Sequence, residues 1–181
     1  MPCLTSTEIK TMMPIFCSIF IETGTYLGET TNIAKTMFDT VHTIEIQPDL
    51  FNKAKNKFQH DLNVTCHLGD SSFVLNDICK TLDKPSCFWL DGHYSAGITG
   101  KGIKNVPLYE ELMIIMTKCK ESCVILIDDC RLFEKTGKDL DGWESINKET
   151  ILKIVDARME SYSFFPSKLH PLDRMSIILR A

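Results

Sequence analysis

Short apolar runs that each stop at an acidic residue restrict most strongly how this chain can fold. Ser18-Ile-Phe-Ile21 runs into Glu22, Val41-His-Thr-Ile44 into Glu45, and Asn63–Leu68 into Asp70. Cys87-Phe-Trp-Leu90 runs into Asp91, and Val124-Ile-Leu-Ile127 into Asp128 and Asp129. Runs of this length and composition read as strands, the first of them buried on both faces. Between them lie segments with apolar residues at helical spacing. Ile33, Ala34, Met37 and Phe38 mark the first. Phe51, Ala54 and Phe58 mark the second, opened by Pro48 with Asp49 in its first turn. Val74, Leu75, Ile78 and Leu82 mark the third, capped by Asp70 or Ser71. Leu108, Leu112, Ile115 and Met116 mark the fourth, opened by Pro107, and a fifth helix spans about Asn147 to Met159. Residues 1–16 form a short lead-in with a turn or two of helix around Glu8 to Met13. Two strands close the chain, near Tyr162–Phe165 and Met175–Leu179. This alternation predicts an α/β three-layer sandwich with a mainly parallel sheet. The last connection is too short for a crossover helix, so the last strand should run antiparallel. The chain reads as one domain, 1–181, without internal repeat or linker.

The composition excludes several classes. Charged residues make up 24% of the 181 residues, the net charge is −4, and no lysine/arginine block stands out. The electrostatic footprint of a nucleic-acid binder is therefore missing. The apolar runs are of strand length, which argues against a membrane span. Met12 to Ile21 has the apolar look of a leader, but it lacks a basic start and a small-residue cleavage site, and it runs straight into a glycine turn. None of the eight cysteines form Cys-x-x-Cys, although Cys119 and Cys123 stand four apart. Cys17, Cys66, Cys87 and Cys123 fall in or beside strands, as reduced thiols in a cytoplasmic protein would.

In open α/β sheets ligands bind beyond the carboxyl ends of the strands, which here carry a rim of acids. Phe20 to Thr31 reads as a strand end, a tight turn with Gly24 and Gly28, and the first turn of a helix, where a nucleotide-like ligand can approach backbone. Glu45 stands where an acid can accept hydrogen bonds from a ribose diol. Asp91, Asp128 and Asp129 come from adjacent strands. Without basic partners they would repel one another, and a divalent cation with oxygen ligands would resolve that repulsion. His93, two residues past Asp91, is suited to act as a general base.

These residues resemble the S-adenosylmethionine-dependent methyltransferases. Glu22-Thr-Gly-Thr-Tyr-Leu-Gly28 is similar to their first motif, acid-x-Gly-x-x-x-Gly. Glu45 matches their ribose-binding acid, and Asp70 in Leu-Gly-Asp-Ser matches the position that contacts the adenine amino group. The resemblance implies a seven-stranded Rossmann-like sheet with an antiparallel last strand. It implies cofactor contacts from Glu22, Gly24, Thr25, Tyr26, Gly28, Glu45, Asp70, Ser71 and Asp91. Asp91-Gly-His93 with Asp128-Asp129 is similar to the metal-dependent O-methyltransferases of the catechol and antibiotic-sugar types. That likeness implies magnesium on Asp91, Asp128 and Asp129, with His93 and Asp91 catalytic. Phe88 to Gly102 also resembles compact microbial methyltransferase-like proteins.

There are two departures. Tyr26 replaces the middle glycine of the first motif, and little chain precedes it to cap the site. Substrate recognition must then come from loops or from another subunit of a homo-oligomer. Lys101 and Lys104, in the glycine-rich loop from Tyr94 to Val106, either attract an anionic substrate group or belong to a solvated lid. The implied chemistry is O-methylation of a small hydroxylated molecule such as a sugar, with neither nucleic acid nor membrane as partner. Two rivals stay open: a nicotinamide-dependent oxidoreductase, and a non-catalytic nucleotide- or partner-binding domain whose surface includes the polar segment 131–145 with Trp143.

Overall fold

The structure is a computed structural model that describes residues 4–95, 97–138 and 140–181. The start of the lead-in, Ala96 of the glycine-rich loop and Asp139 of the 131–145 segment lie outside the described residues. β1 (Ile19–Thr23), β2 (Thr40–Glu45), β3 (Val64–Leu68), β4 (Ser86–Leu90), β5 (Cys123–Ile127), β6 (Met159–Phe165) and β7 (Arg174–Leu179) form one sheet. Its order is β3-β2-β1-β4-β5-β7-β6. β1 to β5 pair in parallel, and β7 runs antiparallel to both β5 and β6. The sequence expectation of an antiparallel last strand is met. β1, β4 and β5 are buried at every position, whereas β3 at the edge is only partly covered.

The helices are α1 (Ser6–Met12), α2 (Glu29–Ala34), α3 (Pro48–Lys57), α4 (Ser71–Thr81), α5 (Leu108–Lys118) and α6 (Lys148–Val155). Ile21, Ile44, Phe88, Ile125 and Ile177 face α4, α5 and α6. Phe20, Val41, Trp89 and Leu126 face α1 and α2 on the other side. Leu75, Leu112 and Ile115 are fully buried between the helices and the sheet. Each contributes roughly 1.5–3 kcal/mol by leaving water. Among the described residues no helix is long and apolar enough to cross a membrane.

Two expected boundaries and one buried face differ. α2 stops at Ala34 rather than running to Phe38. The side-chain amide of Asn63 donates to the carbonyls of Lys35 and Phe38, which gives those oxygens a partner outside a helix. Phe38 stays buried by packing on Phe20, ring centroids 5.0 Å apart. α3 buries Leu50 with Ala54 and leaves Phe51 half-buried. α6 ends at Val155, and Met159 already belongs to β6.

Candidate active site

The loops after β1, β2 and β3 build one half of an open cleft. Gly24 turns the chain at φ +85°, and a Cβ there would collide with the carbonyl of Asp91. Only glycine lets the β1 and β4 loops approach this closely. Tyr26 also takes a left-handed conformation, φ 49°. The bend that a middle glycine would favour is thus kept despite the tyrosine. The N–H of Tyr26 donates to Glu45 Oε2 at 2.8 Å, and that of Gln47 donates to Oε1 at 2.9 Å. Burial raises Glu45 above the usual carboxylate range, against those two backbone donors. Asp70 settles the open capping choice. Its Oδ1 accepts from Ser72 N–H at 2.9 Å at the start of α4, and its Oδ2 accepts from Ile103 N–H at 3.1 Å. The second bond draws the glycine-rich loop across the cleft, and a Cβ on Gly102 would run into the Asp70 carboxylate. Ser71 donates to buried Glu111.

Of the sequence-predicted residues, Gly24, Tyr26, Glu45, Asp70, Ser71, Asp91 and His93 line this cleft together. Glu22, Thr25 and Gly28 stand behind its wall. Glu22 is buried beneath the turn and accepts hydrogen bonds from the hydroxyls of Thr31 and Thr43. Burial pushes it up to about 7. Thr25 Oγ1 lies 2.6 Å from Thr43 Oγ1, which turns it inward. Gly28 is the N-cap of α2 and packs against the Phe58 ring.

The other half follows β4 and β5. His93 Nε2 lies 3.1 Å from Asp129 Oδ2, and its Nδ1 lies 3.6 Å from Asp91 Oδ1. Asp91 Oδ1 is buried and has no hydrogen-bond partner. Burial, then the charges of Asp128 and Asp129, push Asp91 well above the carboxylate range. Burial also lifts Asp128 to about 6, with Asp129 adding and Arg174 opposing. Burial pushes Asp129 up as well, but His93 and Arg131 outweigh it and the net shift is downward.

The expectation of three carboxylates without a basic partner is corrected. Arg174 Nε donates to Asp128 at 3.2 Å, and its Nη1 reaches Glu8 of α1. Arg131 joins Asp129 to Asp173, 2.8 Å from the latter. The expected trio of Asp91, Asp128 and Asp129 separates into two groups: Asp91, His93 and Asp129, and Asp128, Asp129 and Asp173. Strand β5 ends at Ile127, and Asp129 is left-handed at φ 58°, so the two adjacent acids turn to different partners.

Trp143 is also corrected. It is buried rather than a partner surface, with its ring edge-on to His93 at 5.0 Å and stacked on Phe133 at 6.2 Å. Lys101 packs over the Tyr94 ring and Lys104 pairs with Glu110. Sequence reasoning missed Glu111, although it lies on the inward stripe of α5 between Leu108 and Leu112. Its carboxylate holds the hydroxyls of Ser71 and Thr23. Thr23 Oγ1 in turn accepts from Asp91 N–H at 3.3 Å.

An antiparallel strand inserted beside β5 in an otherwise parallel sheet is the Rossmann-like fold of the S-adenosylmethionine-dependent methyltransferases. An O-methyltransferase from Bacillus cereus, in complex with S-adenosylhomocysteine, superposes with a TM-score of 0.68 at 12% identity, over 98% of this chain and 82% of that one. A SAM-dependent methyltransferase from Archaeoglobus fulgidus matches with a TM-score of 0.63 at 15% identity, over 97% and 92%. The N-methyltransferase NodS from Bradyrhizobium japonicum matches with 0.60 at 11% identity, over 96% and 92%. No protein-family model and no curated protein matches the sequence.

Proposed function

We propose that this chain is an S-adenosylmethionine-dependent methyltransferase that methylates a hydroxyl of a small molecule such as a sugar, assisted by a divalent cation. The observation that carries this reading is that Gly24, Glu45 and Asp70 share one cleft with Asp91 and His93. The cofactor, when bound, supplies an electrophilic methyl group on a sulfonium. Each Glu45 oxygen accepts one backbone N–H and keeps a lone pair for a ribose hydroxyl. The partner at Nε2 assigns the His93 proton to that nitrogen, donated to Asp129, which leaves Nδ1 to take the acceptor's proton. Trp143 and Asp129 fix the ring, so the base is oriented before substrate arrives.

A divalent cation fits the orphaned Asp91 oxygen, with Asp129 beside it and substrate oxygens and water completing the shell. Such an ion would lower the pKa of the acceptor hydroxyl. The cations already facing Asp128 and Asp129 favour a second reading, in which His93 works without metal. Methyl transfer that survives chelation would select it. The seven described cysteines are free thiols, which supports a reducing compartment such as the cytoplasm.

The test is calorimetric titration of S-adenosylhomocysteine into the full chain, with and without magnesium, on wild type and Glu45→Ala. The expected result is micromolar binding that Glu45→Ala abolishes, followed by transfer to hydroxylated acceptors. No binding under either condition overturns the reading, and NADH binding instead returns the oxidoreductase. Binding without transfer across a broad acceptor panel selects the non-catalytic domain.

A further inference from the structure

The sheet face under α4 carries a second polar group, away from the cleft. The β2–β3 register pairs His42 with Thr65 and Ile44 with His67, so the two histidines lie diagonally on one face. His42 Nδ1 and His67 Nε2 are 3.0 Å apart, with ring centroids 5.2 Å apart. Both rings line an open groove whose other wall is the Val74, Asp77 and Thr81 edge of α4. Burial holds His42 down at about 4, with His67 adding to the shift, and burial lowers His67 as well. Both imidazoles are therefore neutral near pH 7, as metal ligands must be.

We propose that His42 and His67 form a binding site for a divalent transition metal of the zinc–nickel–copper group, with water completing the coordination. Two imidazole nitrogens on one ion at about 2.0–2.1 Å stand about 3.3 Å apart in a tetrahedron and about 2.9 Å apart in a cis square-planar site. The observed 3.0 Å falls between these, and the ion is admitted when the rings turn so that both lone pairs, rather than facing each other, converge on it. The ligands come from adjacent hydrogen-bonded strands, so folding has already fixed their separation. Imidazole donors select this group of metals over magnesium and calcium, which prefer oxygen. Asp77 adds negative charge at the groove, although Lys80 and Asn76 already hold one of its oxygens. Without metal, one ring nitrogen donates its proton to the other.

The site is independent of the methyl-transfer reading and is tested without turnover. Zn2+ and Ni2+ are titrated into the reduced full chain against a chromophoric chelator. Wild type, His42→Asn, His67→Asn and His93→Gln are compared, the last because Asp91, His93 and Asp129 are also close together. One equivalent should bind at micromolar strength, weaken at least tenfold in either strand variant, and persist in His93→Gln. On the wild type, Zn2+ should also shift the ring-nitrogen NMR signals of His42 and His67, a measurement that does not depend on the variants folding. No binding, binding indifferent to both strand substitutions, or unmoved ring signals would overturn the proposal and leave a plain imidazole hydrogen bond.

Discussion

On the β1–β2–β3 side of the cleft, neutral donors satisfy the carboxylates, whereas on the β4–β5–β7 side cations meet Asp128, Asp129 and Asp173. Glu22 takes hydroxyls from Thr31 and Thr43, Glu45 takes two backbone N–H groups, and Asp70 takes Ser72 and Ile103. Asp128 meets Arg174, Asp129 meets His93 and Arg131, and Asp173 meets Arg131. Neutral donors orient an acid without cancelling its charge, and burial then raises Glu22 and Glu45. Cations oppose that rise, leaving Asp129 below its ordinary value and Asp128 at about 6, at the cost of burying paired charges that must not be separated. The first side is built to accept hydrogen bonds, the second to hold charge.

Arg174 gives the sharpest test of that contrast. It is almost fully buried between Asp128 and Glu8, so Arg174→Met leaves an acid without its cation. Urea unfolding should record a loss of about 3–5 kcal/mol. On the other side, Thr31→Val removes only a neutral donor from Glu22 and should cost about 1–3 kcal/mol. Equal losses would break the comparison.

The next effect is on rate. His93→Gln removes the base but leaves the Glu45 side intact, so methyl transfer should fall about 10²–10⁴-fold while S-adenosylhomocysteine affinity holds. A matching loss of affinity would mean the two halves do not act separately.

The smallest effect concerns Glu111, which bridges the halves through Ser71 and Thr23. Burial raises it to about 7, so the folded chain keeps a proton that the unfolded chain releases near its ordinary value of 4.5. Its contribution to stability is full below about pH 4.5 and is lost as pH rises to about 7. Glu111→Gln has no proton to lose. Its melting midpoint relative to wild type should rise between pH 5 and pH 8, by roughly 2–4 °C per kcal/mol. A difference that stays flat with pH would place Glu111 with the cation-held acids.

The neutral side was the more legible in sequence. Gly24, Glu45 and Asp70 follow directly from strand ends, and the backbone that satisfies Glu45 is supplied by residues 26 and 47, close to the motif itself. β1, β4 and β5 were legible because strands buried on both faces are written as apolar runs. The charged side was not, because its pairs join distant residues: Arg131 to Asp173, Asp128 to Arg174, Glu8 to Arg174. A sequence lists those acids and bases without saying which will meet. Trp143 misled for the same reason, since its polar neighbours hide a partner, His93, that lies far back in the chain. The early end of α2 depended on one distant amide, that of Asn63.

The Glu8–Arg174 pair joins residues 166 positions apart. In polymer terms it closes a loop that includes almost every other element, at about 4–5 kcal/mol of chain entropy. Contacts of that range slow folding, because the loop must close before the contact repays it. Until β7 docks between β5 and β6, Asp128 has no guanidinium and α1 has no anchor on it. The Arg174 pairs are therefore absent, rather than merely looser, in a chain whose β7 has not docked, while His93–Asp129 and Arg131–Asp129 do not depend on that strand.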